Sequence, residues 1–189
     1  ERCMALGVVL RDVLGVAQSM REAKRALATR RILVDGRVTT DMRRGVGVMD
    51  VLSVGDDHYR CILDGNGKLR YVAISAKDAG LKLCRVDGKT TIKGGVTQLN
   101  LHDGRNMLVD DANKYHTMDT LVVEVDSQKV KKHHKFEAGA NCYLIGGSHI
   151  GSTATMTEYA VKRSSKDNEV LFGDFGTIVD HVFVVGDAS

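Results

Sequence analysis

The chain has 189 residues, 43% hydrophobic and 27% charged, with a formal net charge of +3. That is an ordinary soluble globular composition, sized for one large or two to three small domains. No window approaches 18 apolar residues, which excludes a membrane-spanning helix, and no secretory pattern stands at the first residues.

The charge is unevenly spread. Residues 1–47 hold ten Lys/Arg and five Asp/Glu, a balance of +5, and the remaining 142 hold seventeen and nineteen, a balance of −2. A basic N-terminal end suggests a polyanion partner there. Cys3, Cys61, Cys84 and Cys142 lie far apart in sequence and form no CxxC or Cys/His pattern at metal spacing. Buried thiols in a reducing cytoplasm are expected. There is no proline, where about nine are expected at ~5% usage. Turns must therefore be built from glycine, asparagine and aspartate. The chain begins at Glu1 with an apolar pattern already under way by Met4, so the natural N-terminus is expected ahead of Glu1.

Val8, Val9, Leu10, Val13 and Leu14 predict a first helix broken near Gly15. Ser19 with Glu22 is a capping box that starts a second helix at Met20. Ala23, Ala26 and Leu27 give it one apolar face, and Arg21, Lys24, Arg25 and Ala28 lie off that stripe. Arg30 and Arg31 come next, as the helix ends. Ile32 to Val34 then run into Asp35-Gly36, a strong two-residue hairpin signal, and Arg37 to Thr39 lead out. A small unit with one apolar face and six clustered cations is suited to holding a polyanion. It ends near Gly47 and is too small to stand alone, so it is expected to pack on the next part of the chain.

From Val48 the pattern changes to short strands. Tyr59 to Leu63 and Leu69 to Ile74 flank a turn at residues 64–67, and Ser75 with Asp78 caps one helical turn. Leu81 to Val86 and Lys89 to Ile92 flank Asp87-Gly88, a second predicted hairpin. Val96 to Leu101 alternates with period two. His102-Asp103-Gly104 turns it into Arg105 to Val109, a polar loop covers residues 110–119, and Leu121 to Val125 is another strand. The third block opens with a basic run at residues 130–136, read as a surface loop around His133-His134. Further strands are predicted at Cys142 to Ile145, Thr153 to Val161, Val170 to Phe172 and His181 to Val185. The whole reads as α+β, mostly β: a helix–helix–hairpin module and then two small β-barrel-like domains.

Enzyme signatures are weak. Gly146-Gly147 and Gly151 lack the Lys-Ser/Thr of a phosphate loop, and the next segment is strand-like, so they read as a glycine-rich turn between strands. His102-Asp103 lacks the further ligands of a metallohydrolase and reads as a turn. No nucleophile elbow or triad has supporting context. No catalytic residue, cofactor, metal or small-molecule substrate is expected.

Residues 19–41 resemble the small RNA-binding module shared by a bacterial small-subunit ribosomal protein, tyrosyl-tRNA synthetases and pseudouridine synthases. The segments GVGVMDVL (45–52), KLC (82–84) and GGVTQLNLHDGRN (94–106) resemble the central domain of the archaeal and eukaryotic ribosomal protein S-four-e family. The last block resembles a KOW motif at Phe136-Glu137-x-Gly139, Ile145-Gly146-Gly147-x-His149-x-Gly151, Phe175-Gly176-Thr177 and Val182 to Gly186. Ala154 departs from it, standing where that motif usually has another glycine, so a differently shaped turn is expected there. The family also tends to carry a basic, proline-containing segment before the position of Glu1.

The resemblance implies three modules, 1–47 (RNA-binding), 48–126 (central β domain) and 127–189 (KOW/SH3-like). It implies a structural component of the small ribosomal subunit, located in the cytoplasm on the ribosome. Its partners would be small-subunit ribosomal RNA and neighbouring ribosomal proteins, with no membrane. The expected RNA contacts are Arg21, Lys24, Arg25, Arg30, Arg31 and Arg37, with Arg43, Arg44, Lys131, Lys132 and Lys135 as a second tier. Six phosphate contacts correspond to a log–log salt slope of roughly −4. Two other readings compete: a KOW-bearing transcription or translation factor, and an RNA-modifying enzyme. The first leaves 94–106 unexplained, and the second has little room for a catalytic domain.

Overall fold

The computed structural model describes residues 3–111, 113–163 and 165–186. Strands dominate, with few and short helices. The chain divides into two compact units. The first runs to Lys82 and takes in Glu124–Lys129; the second comprises Leu83–Val123 and the chain from Val130 onward.

The first unit opens with β1 (Cys3–Ala5), a single turn α1 (Leu6–Val8) and a π-helical segment Val9–Val13. Gly15 ends it at φ +65°, where the sequence predicts the break. Helix α2 spans Met20–Ala28. Ser19 caps it by accepting from the Glu22 N–H at 3.3 Å. The Glu22 carboxylate reaches back to the Gln18 N–H at 2.8 Å, one residue earlier than in an ideal capping box. Strands β2 (Ile32–Val34) and β3 (Arg37–Val38) form the predicted hairpin. Asp35 and Gly36 both have positive φ, 49° and 70°, as a type I′ turn requires. Glycine is demanded twice at position 36, because a Cβ there would lie 2.6 Å from Val125 Cγ1.

Strand β4 (Gly45–Gly47) pairs with β1, and β5 (Val51–Val54), β6 (Asp57–Leu63) and β7 (Leu69–Ile74) extend the hairpin into an antiparallel sheet ordered β3-β2-β5-β6-β7. The capped turn α3 (Ala76–Ala79) comes next. Leu6, Leu10 and Leu27 from the helical segments share one apolar cluster with Ile32, Leu52, Cys61 and Tyr71. Four of these, Leu6, Leu10, Leu27 and Leu52, are fully buried. Each contributes about 1.5–3 kcal/mol relative to exposure. The helix–hairpin thus packs on strands β5 to β7.

One strand, β8 (Leu81–Thr91), runs on into the second unit without a break. The hairpin expected at Asp87-Gly88 is absent: the register shifts there as a bulge against β9 (Thr97–Leu101). The reversal comes later, between Ile92 and Val96, where Gly94 and Gly95 both adopt positive φ. Two adjacent glycines supply the positive φ that this turn uses, and Gly88 pairs with Asn100 just past the bulge.

Strands β10 (Asn106–Val109), β11 (Thr120–Glu124) and β12 (Val130–His134) complete a sheet ordered β10-β9-β8-β11-β12. The basic run 130–134 is therefore an edge strand rather than a loop. Asp119 is the reason. Its buried carboxylate accepts from the Phe136 and His116 N–H groups at 2.9 and 2.8 Å and meets His133 Nε2 at 2.7 Å.

Two three-stranded sheets close the unit: β13 (Asn141–Leu144) between β14 (Thr153–Thr155) and β18 (Val182–Val184); and β15 (Glu158–Ala160), β16 (Glu169–Leu171) and β17 (Gly176–Ile178). The strand expected over 153–161 is broken, because Met156 turns into the core and is buried. Ala154 lies within β14, paired with Cys142, and makes no turn. Second-unit apolar residues form two clusters, one around Leu99 and Leu121, the other around Leu144 and Val182. Arg85 links their sheets, donating through Nη1 to the Asp180 and Val182 carbonyls at 3.1 and 3.0 Å.

Candidate nucleic-acid interface

The apolar stripe of α2 buries Ala23 and Leu27, which turns Arg21, Lys24 and Arg25 outward. All three are exposed. Thr29 ends the helix and Arg30 takes a left-handed φ of 59°. A helix often ends in that conformation, and it is normally given to glycine. Arg31 is exposed just before β2, and its carbonyl accepts from the Gly55 N–H at 3.0 Å. Arg37 is exposed on β3, the edge strand of the sheet. Arg43 and Arg44 are exposed in the connection to β4, where Asp41 Oδ1 accepts from the Arg43 N–H at 2.9 Å. The structure thus places all eight N-terminal candidates on one unit's surface. Among the described residues, no carboxylate pairs with Arg21, Lys24, Arg25, Arg30, Arg31 or Arg37. Six cations without neutralising partners repel one another and gain from an external polyanion.

The second-tier lysines belong to the other unit. Lys131 and Lys132 are exposed on edge strand β12, and Lys135 lies just beyond it. Lys135 borders an open cavity of about 430 Å³ lined by His133, His134, Glu137, Asn141 and Gly186.

Other cations are spent on the fold. Lys82, only 1% exposed, donates through Nζ to Asp35 Oδ2 at 2.7 Å and to Asp50 Oδ1 at 2.6 Å. It thereby clamps the β2–β3 turn, whose Asp35 Oδ1 also accepts from the Val51 N–H at 3.0 Å. Burial raises the Asp50 carboxyl above its ordinary value, and attraction to Lys82 opposes that rise. Arg60 donates to the Asp78 and Leu81 carbonyls at 3.0 and 2.8 Å, and burial pulls its guanidinium below its ordinary value. Arg105 pairs with Asp103, Lys162 with Glu169, and Arg11 with Asp12.

The fold also assembles donors that sequence spacing keeps apart. Cys84 Sγ, a His102 ring nitrogen and an Asp103 carboxylate oxygen lie within 4.8 Å of one another. The geometry serves structure better than a metal. His102 Nδ1 accepts from the Arg85 N–H at 3.2 Å, which puts the proton of a neutral ring on Nε2. Asp103 is engaged by Arg105 through both Nε and the backbone N–H. The 102–104 turn is formed as expected, with Gly104 N–H donating to the Leu101 carbonyl at 2.9 Å.

A feature missed at the sequence level lies at the glycine-rich turn. The exposed His149 ring stacks on Phe175 with centroids 4.0 Å apart and planes at 24°. Only a tertiary contact between two turns far apart in sequence makes this pair, so no local signal announces it.

Comparison with known proteins identifies the family. The profile of "Ribosomal family S4e" matches residues 55–130. The chain is 43% identical over 192 residues to the small ribosomal subunit protein eS4 of Methanosphaera stadtmanae, covering 98% of this chain and 79% of that protein. It is 40% identical to the eS4 protein of Methanocaldococcus jannaschii, covering 97% and 80%. The crystal structure of the 30S ribosomal protein S4e from Thermoplasma acidophilum superposes with a TM-score of 0.86 at 32% identity, covering 100% of this chain and 97% of that one. The match extends over the helix–hairpin, the central sheet and the glycine-rich block alike, and on it the chain belongs to the ribosomal S4e family.

Proposed function

We propose that this protein is a non-enzymatic structural constituent of the small ribosomal subunit, and that its α2–β2–β3 surface binds small-subunit ribosomal RNA. The observation that carries the reading is the set of six exposed cations, unpaired among the described residues, on a helix–hairpin that buries Ala23, Leu27, Ile32 and Val34 in the core. Arginine supplies five of the six, and its planar fork suits bidentate phosphate contact. Folded RNA is met mostly by shape and backbone, which suits a cluster of exposed cations. Lys131, Lys132 and Lys135 extend the contact in the second unit, and Arg43 and Arg44 extend it in the first. Neighbouring ribosomal proteins are the further partners.

Three functional modules, 1–47, 48–126 and 127–189, the last of KOW/SH3 type, fit this role. The separate apolar clusters around Leu99 and Leu121 and around Leu144 and Val182 support the division between the last two, whereas the first cluster runs from Leu6 to Tyr71 and joins the helix–hairpin to the strands after Gly47.

Sedimentation through a sucrose gradient tests the assignment: the protein is expected with small subunits, and recovery with RNA polymerase instead would overturn it. Filter binding tests the contacts. Charge reversal at Arg25 and Arg31 is expected to weaken ribosomal RNA binding and flatten the salt slope from about −4 toward about −3. An unchanged slope removes those two residues from the interface.

A further inference from the structure

We propose that the His149–Phe175 pair is a stacking platform for one unpaired RNA base. The inference rests on the ribosomal RNA-binding reading but uses a different part of the chain and a different kind of contact.

Three rings form a graded stack. Phe172 is buried in the apolar cluster around Leu144 and Val182. Phe175 is half-buried and lies over it, centroids 5.3 Å apart and planes at 22°. His149 is exposed and continues the stack at 4.0 Å and 24°. Parallel stacking carries an aromatic surface from the core out to solvent.

Both turns that hold the outer rings are tied down by hydrogen bonds. Gly147 and Gly151 have positive φ, the Gly151 N–H donates to the Leu144 carbonyl at 2.8 Å, and Ser152 donates to the His149 carbonyl through Oγ at 2.5 Å. A Cβ at Gly146 would sit 2.3 Å from the His181 ring, so this turn is packed against its neighbour as well. On the other side, Gly173 has positive φ and the Phe172 N–H donates to the Phe175 carbonyl at 2.8 Å. A ring presented on fixed backbone loses little entropy when something stacks on it.

The chemistry selects the occupant. Residues 140–189 hold three Lys/Arg and six Asp/Glu, a balance of −3, so phosphate contact is not what this segment offers. A base face needs no cation, and histidine is among the rings on which unstacked RNA bases rest. A partner's guanidinium is the other planar candidate, but it prefers the electron-rich faces of Trp, Tyr or Phe to an imidazole. The base is therefore favoured.

Filter binding of the full chain to in vitro transcribed small-subunit ribosomal RNA, with His149→Ala, His149→Phe and His149→Lys, tests the proposal. His149 is exposed, so all three variants are expected to fold. His149→Ala is expected to weaken binding about 5- to 100-fold, the loss of one stacked base. The salt slope stays unchanged because no phosphate contact is lost. His149→Phe keeps binding near the original, and His149→Lys does not. The proposal is overturned if His149→Ala binds like the original, or if lysine restores binding as well as phenylalanine does. It is also overturned if RNA affinity is intact while incorporation into subunits falls, which identifies a protein occupant. The Arg25/Arg31 charge-reversal variant separates the two readings. If it lowers affinity while His149→Ala does not, only the stacking platform fails. If the unaltered chain does not bind the RNA, the ribosomal RNA-binding reading fails with it.

Discussion

Replacing Lys82 with methionine keeps the stem and removes the charge, leaving Asp35 and Asp50 facing a site that has lost its cation. At 2.6–2.7 Å each pair carries a Coulomb attraction of about 6 kcal/mol at an effective dielectric of 20, much of it offset by desolvating three ions. The cost of the substitution comes from stranding two carboxylates in a site where Lys82 is 1% exposed, and broken buried pairs of this kind cost about 3–5 kcal/mol. For a chain of this size that lowers Tm by roughly 10 °C. The pH dependence gives the sharper test. Asp50 has its native carboxyl raised by burial, so its protonation favours the folded state; that contribution is present at low pH and is lost as pH rises through the raised value. Without Lys82 the rise is larger, because the main opposing attraction is gone. The penalty should therefore be greatest at neutral pH and shrink as pH falls toward the ordinary carboxylate value of about 3.8. Urea unfolding followed by far-UV circular dichroism, with exchange protection of the Asp35 and Val51 amides as the local probe, measures both. A penalty below about 1 kcal/mol at neutral pH, or one that does not change with pH, refutes the clamp.

Arg30→Gly relieves the left-handed residue after α2 and is expected to stabilise the fold by up to about 1 kcal/mol in denaturant titration, while weakening RNA binding and flattening the salt slope by about 0.7. Gly36→Ala places a Cβ 2.6 Å from Val125 Cγ1 at φ +70° and should cost about 1–3 kcal/mol, read as a lower urea midpoint. Thiol labelling of the native chain near pH 8 should be fast at exposed Cys3 and slow at Cys61, Cys84 and Cys142; burial pushes the Cys61 and Cys142 thiols up to about 12, so they stay protonated and unreactive. Mass spectrometry of labelled peptides checks the order, and labelling of Cys61 as fast as Cys3 contradicts the burial.

Local features are the ones legible in the sequence. The Ser19 cap, the Asp35-Gly36 turn and the Ser75 cap each depend on two to four neighbouring residues, and each forms where the pattern indicates. Asp87-Gly88 carries the same dipeptide signal as Asp35-Gly36 yet lies in a continuous strand. Its outcome is set by pairing with Asn100 and by the glycine pair at 94–95, which reverses the chain instead. The segment 130–134 departs from its expected loop for a related reason: polarity marks a loop, but buried Asp119 recruits His133 and the Phe136 N–H and makes the segment an edge. The short strands β1, β4 and β17 carry no periodic signal at all, being three residues each.

The candidate interface shows the same division between local and tertiary information. A sequence counts 27 Lys and Arg but does not say which are committed to the fold. Lys82 is as cationic as Lys24, and only the fold reveals that one closes on two buried carboxylates while the other stands in solvent on α2. The cations that survive this sorting sit where secondary structure alone forces them outward: opposite a buried helix stripe, at a helix end, and on an edge strand. That is why the amphipathic reading of residues 19–41 finds them without a structure. The His149–Phe175 stack has the opposite character. Each ring is a motif position in its own turn, but nothing local pairs the two, which lie 26 positions apart in the chain. A surface made of phosphate-seeking charge is legible from composition, whereas one made of stacked rings exists only once two turns meet. The two kinds of contact should therefore separate in a salt titration: binding through the α2–β3 cations falls with ionic strength, and the stacking contribution does not.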